Sequence, residues 1–159
     1  MKAAPGRLSR EQAKEALVKL EAAVGPSTGK QARDALVKFL NSLTPTYSWV
    51  GIYAVDGKDL VLDAWAGPVA TQHTRIPIGK GVCGFAAKAA RTEIVSDVSK
   101  DPRYLECFVS TRSEIVVPIS NQAGVIGEID IDSDQLDAFS SVDREFLEVV
   151  ARKAGTVWA

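Results

Sequence analysis

The sequence of 159 residues has only two cysteines, one histidine and almost no net charge, and each shortage argues against a class of protein. Two cysteines, Cys83 and Cys107, are too few for a secreted scaffold held together by disulfides. A formal net charge of -1 provides no basic surface, so we expect no nucleic-acid partner. No run approaches the roughly 18 apolar residues of a membrane span, and no apolar leader follows Met1. We therefore expect a cytoplasmic protein without a membrane partner.

Hydrophobic periodicity predicts one domain over residues 1–159, with helices at both ends and strands between them. An S-x-x-Q capping box at Ser9 precedes two helical stripes within residues 1–44. Residues 45–139 alternate in the manner of strands, carry hairpin signals and include the candidate active-site loops, and residues 140–159 form a last helix. Hairpins in place of repeated βα units indicate an α+β fold: a central antiparallel sheet of about six strands, with the N- and C-terminal helices packed on one face.

The hexapeptide G-K-G-V-C-G at residues 79–84 fits two incompatible interpretations. As G-x-G-x-x-G it could bind a dinucleotide phosphate, but Pro77 suits an edge strand and the helix predicted over residues 85–90 is too short for that fold. The alternative is a redox site around Cys83. We expect its glycines to permit close backbone approach or movement of that cysteine.

Four segments together resemble one family. They are W-V-G-I-Y at 49–53, R-I-P-I-G-K-G-V-C-G at 75–84, S-E-I-V-V-P at 113–118 and G-E-I-D-I-D-S at 127–133. This combination is similar to the GAF-domain free methionine-(R)-sulfoxide reductases. The resemblance implies a GAF fold, reduction of free L-methionine (R)-sulfoxide to methionine, and recycling by thioredoxin. It also implies no organic cofactor and no metal. It favours a homodimer, although a C-terminal helix ending in Trp158 could equally pack within one chain.

By the same resemblance, the two cysteines take different roles. Cys107 matches the attacking cysteine, and Arg112 or a loop amide could lower the pKa of its thiol. Cys83 matches a resolving thiol that attacks the resulting sulfenic acid and forms a disulfide. Without the resemblance, two inert buried cysteines would be the simpler interpretation.

Three carboxylates, Glu114, Asp130 and Asp132, occupy motif positions. Asp130 and Asp132 are two residues apart on one predicted strand, so they point to the same face, where they could hold the α-ammonium group of an amino acid. Glu114 and one aspartate could donate the proton that the sulfoxide oxygen needs. The alternative is a solvated strand face.

Two aromatic residues, Trp49 and Tyr53, are four apart on a strand and share a face. They match the family positions that line the methyl-sulfoxide end of the substrate, and aromatic walls suit a polarisable sulfur group. They could equally be ordinary core aromatics.

His73 stands ten residues before Cys83, where many members of the family carry a third cysteine. Cys83 must then resolve alone, or an external thiol must reduce the sulfenic acid. An exposed loop residue is the simplest interpretation of His73, and a charge near Cys107 is another. A zinc site of His73, Cys83 and Cys107 is not expected because no C-x-x-C or H-x-x-x-H pair is present.

Two other functions remain open from the sequence. One is a GAF module that senses a small molecule without chemistry. The other is a thiol redox sensor in which Cys83 and Cys107 report oxidation without turnover.

Overall fold

A computed structural model describes residues 6–106 and 108–159, so Cys107, the predicted nucleophile, lies outside the described residues. The helices are α1 (Arg10–Val24), α2 (Gly29–Leu43), α3 (Gly81–Ala89) and α4 (Ser141–Thr156), and a short 3-10 helix spans Val98–Lys100. The strands are β1 (Trp49–Asp56), β2 (Asp59–Ala66), β3 (Arg75–Pro77), β4 (Glu93–Val95), β5 (Ser113–Asn121) and β6 (Gly124–Ser133).

The first and last helices both begin at a side-chain cap. Ser9 accepts a hydrogen bond from the amide of Gln12 (3.1 Å), and the Gln12 side chain accepts one from the amide of Ser9 (2.9 Å). Ser140 and Asp143 form the same reciprocal arrangement at the start of α4. These boxes satisfy amides that the helix itself leaves unpaired, so the predicted capping box is confirmed.

The six strands form one antiparallel sheet in the order β3-β2-β1-β6-β5-β4. The β1–β2 hairpin turns at Gly57, whose φ of 61° is the left-handed conformation that glycine adopts easily. Strands β1 and β6 are adjacent at the centre of the sheet, although 67 residues separate Asp56 from Gly124. The predicted α+β fold with a six-stranded antiparallel sheet is confirmed.

One face of the sheet is covered by α2 and α4, and α1 packs against these two helices. The apolar core between them contains side chains from the three helices and from alternate strand positions, among them Leu20, Leu36, Leu147, Ile52 and Ile129. This burial supplies the main favourable term for folding. The prediction that the N- and C-terminal helices pack on one face is therefore confirmed.

The opposite face is covered by α3 and by the connection from β4 to β5. The structure differs here from the sequence prediction, because α3 begins at Gly81 inside the glycine-rich hexapeptide and not at residue 85. A Cβ atom at Gly84 would lie 2.6 Å from the carbonyl oxygen of Pro77, so only glycine permits this packing. Tertiary packing thus overrides the low helix propensity of glycine.

Across both described stretches, 6–106 and 108–159, no helix is long and apolar enough to cross a membrane.

Candidate functional site

A row of three carboxylates lies on β6, on the sheet face that α3 covers. Glu128, Asp130 and Asp132 occupy alternate positions, so they share one face. Their residues are 0%, 1% and 1% exposed. Glu114 on β5, 3% exposed, pairs directly with Asp132. We call Glu128, Asp130 and Asp132 the carboxylate ladder; with Glu114 beside it, the ladder is buried and is not a solvated strand face.

The carboxylate ladder has few hydrogen bonds. The Cys83 thiol lies within hydrogen-bonding reach of Glu128 and Asp130, and Glu114 lies within reach of Asp130 and Asp132. Asp132 also accepts a hydrogen bond from the hydroxyl of Thr111 at 3.3 Å. Burial raises the pKa of Asp130, and it raises the pKa of Glu128 and of Asp132 well above their usual values, with the charge of Asp130 adding to both. Such a ladder favours bound protons or a bound cation.

Cys83 lies on α3, above the ladder, and is 6% exposed. Burial raises the pKa of its thiol well above the usual value, and the charges of Asp130, Glu128, Glu114 and Asp132 add to that shift. Cys83 lies in a helix and not in a loop. The neighbouring glycines therefore serve close packing and do not serve movement of the cysteine, the other role predicted for them. Cys83 is therefore a buried, protonated thiol in the resting protein.

The sulfur of Cys83 and one oxygen each of Glu114 and Asp130 lie within 4.8 Å of one another. Thiolate and carboxylate groups are ligands that Zn²⁺ accepts, so these three residues could hold a metal ion. His73 does not belong to this group. Among the described residues, the set that could hold a metal ion is therefore Cys83, Glu114 and Asp130. This set differs from the zinc site of His73, Cys83 and Cys107 that was not expected from the sequence.

Trp49 forms an aromatic wall at the Asp132 end of the ladder. It pairs with Asp132 across β1 and β6, and its ring centroid lies 5.6 Å from that of Phe108. A Cβ atom at Gly51 would lie 2.3 Å from the indole, so this glycine makes room for the ring. A cavity of about 50 Å³ lies beside these rings and is lined by Ser48, Trp49, Pro68, Val69, Phe108, Ser110, Thr111, Asp132 and Asp134.

Tyr53 lies on the same face as Trp49, as predicted, and is fully buried. Its hydroxyl donates a hydrogen bond to the carbonyl of His73 at 2.7 Å. The ring nitrogen Nε2 of His73 lies 2.9 Å from the carbonyl oxygen of Glu106. The expectation that His73 is simply an exposed loop residue is wrong, since it is half-buried and links β1 to the segment that precedes Cys107.

The structure thus brings together Cys83, Glu114, Asp130, Asp132, Trp49 and Tyr53 on one sheet face. Sequence analysis missed Glu128, Thr111 and Phe108. Glu128 could have been found, because it continues the alternation of Asp130 and Asp132 by one further step. Thr111 and Phe108 lie in a loop without periodicity, so no sequence signal points to them.

Comparison with known proteins agrees with this fold. The GAF domain family matches residues 31–158. The chain is 42% identical over 107 residues to GAF domain-containing protein A of Dictyostelium discoideum and 44% identical over 115 residues to the free methionine-R-sulfoxide reductase of Saccharomyces cerevisiae. These alignments cover 67% and 70% of this chain, and 66% and 63% of the two relatives. The chain thus spans slightly less than two thirds of each relative's length.

A solved structure extends the comparison to nearly the whole chain. The free methionine-R-sulfoxide reductase of Neisseria meningitidis, in complex with its substrate, superposes with a TM-score of 0.87 at 33% identity. The match covers 99% of this chain and 96% of that one. The chain therefore belongs to the GAF domain family, within which its sequence and fold are similar to those of the free methionine-R-sulfoxide reductases.

Proposed function

We propose that this protein reduces free L-methionine (R)-sulfoxide to L-methionine. The observation that carries the proposal is the buried carboxylate ladder, which meets an aromatic wall at Asp132 and a thiol at Cys83. The names of the yeast relative and of the Neisseria structure support the same reaction.

Asp130 and Asp132 on one side and the aromatic wall on the other match the two ends of the substrate. The α-ammonium group of a free amino acid is a cation, and a cation beside two buried carboxyls lowers their pKa and binds them as carboxylates. Trp49 and Tyr53 offer apolar surface to the methyl-sulfoxide end. A peptide-bound methionine sulfoxide has no free ammonium group at this position, so the two aspartates favour the free amino acid.

The chemistry needs a thiolate and a proton. The thiolate of Cys107 attacks the sulfoxide sulfur, the S–O bond of the substrate breaks, and the oxygen leaves with the Cys107 sulfur as a sulfenic acid. Glu114 or Asp132 supplies the proton, and burial favours the protonated form of Asp132 by raising its pKa. Methionine is the other product.

Recycling needs a second thiol. Cys83 attacks the sulfenic acid, a disulfide forms, and the hydroxyl leaves as water; thioredoxin then reduces the disulfide. A disulfide requires that the two Cα atoms come within about 7 Å. Cys83 itself is buried on α3, so we expect the disulfide to form at this buried position.

The test is thioredoxin-coupled oxidation of NADPH with free methionine (R)-sulfoxide, and with the (S) epimer and a peptide-bound sulfoxide as controls. We expect turnover of the free (R) epimer, no turnover by the C107S variant, and a single turnover by C83S. Tight binding of the sulfoxide without turnover would indicate that the protein is a sensing module and not an enzyme. Oxidation of both cysteines without turnover would indicate a redox sensor.

Quaternary structure remains a prediction of the family resemblance, and a cytoplasmic location remains a prediction of the sequence. Trp158, near the C-terminus, is half-buried within the chain, and the guanidinium of Arg33 lies 4.5 Å from its ring centroid. We propose a homodimer, and light scattering coupled to gel filtration measures its mass. The cytoplasmic location is checked by cell fractionation.

A further inference from the structure

Glu128 has no task in the reduction of the sulfoxide, although it is as buried as the two aspartates beside it. We propose that Glu128 is the base that accepts the thiol proton of Cys83 when Cys83 attacks the sulfenic acid on Cys107. This inference rests on the proposed function for the identity of the two reacting cysteines.

The first argument is position. Glu128 pairs with Tyr53 on β1 and with Pro118 on β5, four residues from Asp132. Four residues of a strand span about 13 Å, so Glu128 lies at the opposite end of the ladder from the cavity beside Trp49. It does not line that cavity. Its carboxylate instead lies within hydrogen-bonding reach of the Cys83 thiol.

The second argument is burial. Both oxygens of Glu128 are closed to solvent, and the thiol of Cys83 is the hydrogen-bonding group beside them in the described part of the chain. Burial makes an ionised carboxylate unfavourable, so a position that served only packing would favour an apolar residue. The titratable groups around Glu128 are Cys83 of α3, Asp130 of β6 and Tyr53 of β1.

The third argument is electrostatic. Burial and the surrounding carboxylates raise the pKa of Cys83, so release of its proton to solvent would add a negative charge to an acidic pocket. Transfer of that proton to Glu128 leaves the pocket's total charge unchanged. Burial also raises the pKa of Glu128, which makes it a stronger base than an exposed glutamate. The buried thiol therefore reacts without forming an additional buried charge.

The step balances as follows. The Cys83 sulfur forms the S–S bond with the Cys107 sulfur, and the S–O bond of the sulfenic acid breaks. Relative to the thiol, the Cys83 sulfur in the disulfide is oxidised by one electron equivalent. Relative to the sulfenic acid, the Cys107 sulfur is reduced by one. The Cys83 proton goes to Glu128, and the departing hydroxyl takes a proton from Glu114 or Asp132 and leaves as water.

The experiment compares the native chain with E128Q, which keeps the shape of the side chain but cannot accept the proton. E145Q, on the exposed surface of α4, is the matched control. Each protein is mixed with free methionine (R)-sulfoxide without reductant, between pH 6 and 9. Released methionine reports the first step, and the Cys83–Cys107 disulfide, trapped and counted by mass spectrometry, reports the second.

We expect E128Q to release one equivalent of methionine at a rate within twofold of the native rate, while disulfide formation slows at least tenfold. The native disulfide rate should rise with pH as Glu128 loses its proton, and E128Q should lose this rise. E145Q should match the native chain. Disulfide formation at the native rate in E128Q would overturn the proposal, and so would an equal slowing of both steps.

Two further measurements distinguish a failure of this proposal from a failure of the proposed function. Hydrogen peroxide oxidises Cys107 to the sulfenic acid directly, so the effect of E128Q on disulfide formation is measurable even in a protein that ignores the sulfoxide. If E128Q does not fold, E128D replaces it: we expect a slower disulfide step that keeps its rise with pH. An E128D rate that is independent of pH would contradict the role of a carboxylate.

Discussion

Glu114 of β5 and Asp132 of β6 lie directly opposite each other in the sheet, and both side chains are buried on the face that α3 covers. Two carboxylates in this relationship repel each other when both are ionised, so one of them holds a proton or a cation lies close to both. The pair Glu114 and Asp132 can therefore serve both as a proton donor and as a binding site for a cation.

The first prediction concerns Asp132. The D132N variant keeps the shape of the side chain but can neither hold the acidic proton nor balance an ammonium group. We expect kcat/KM for free methionine (R)-sulfoxide to fall at least about 100-fold. The matched control is D56N, because Asp56 is an exposed carboxylate at the other end of β1. A D132N value within threefold of the native value would contradict the assigned role.

The second prediction concerns the space that Gly51 leaves for the indole of Trp49. In G51A the added methyl group would overlap the ring, so we expect a loss of about 1–3 kcal/mol in the free energy of unfolding, together with lower activity. In a W49A background the same substitution meets no ring. Urea denaturation of both single variants and the double variant should give a coupling of at least about 1 kcal/mol. Additive effects would show that the ring and the glycine are independent.

The third prediction concerns stability and pH. Burial raises the pKa of Glu128 and Asp130 in the folded protein, whereas in the unfolded chain such groups lose their protons near pH 4. Unfolding above about pH 4 therefore releases protons, and rising pH favours the unfolded chain until each folded-state pKa is passed. Each proton contributes a slope of about 1.4 kcal/mol per pH unit.

Urea denaturation between pH 5 and 8 measures this slope. We expect the free energy of unfolding of the native chain to decrease with pH relative to that of E128Q and of D130N. Parallel curves for all three proteins would mean that the two carboxyls titrate alike in the folded and unfolded chain.

The fourth prediction concerns His73. Its ring contacts the carbonyl of Glu106, the residue before Cys107, so a thiol at position 73 would lie near the loop that carries the nucleophile. We expect C83S to stop after one turnover and the double variant H73C/C83S to recover at least a tenth of the native turnover with thioredoxin. H73S/C83S is the control that lacks the thiol. Recovery in that control would assign the effect to the loss of the histidine.

Much of the fold follows from the sequence because its signals are local. The capping box at Ser9, the hairpin glycine Gly57 and the alternation along β6 each depend on neighbouring residues only. The start of α3 at Gly81 could not be predicted in this way. It depends on the contact of Gly84 with the Pro77 carbonyl, which only the folded chain contains.

The candidate site was predictable in part for the same reason. The shared face of Asp130 and Asp132 follows from the period of a strand, but their burial follows from α3 and the covering loop. Glu128 lies in the same G-E-I-D-I-D-S segment, but its burial, like that of the aspartates, depends on the covering α3 and not on the strand's own sequence. The link from Tyr53 through His73 to Glu106 joins three distant segments, and no pattern in the sequence indicates it.

On the proposed function, binding of the substrate at Asp130 and Asp132 is also a proton exchange. Burial raises the pKa of both carboxyls and a cation beside them lowers it, so we expect the ammonium group of the substrate to displace protons. The heat of binding should then depend on the buffer that takes up the released protons. We expect the affinity for an ammonium-bearing ligand to rise with pH, so that the protein captures such a ligand more tightly at neutral pH than in acid.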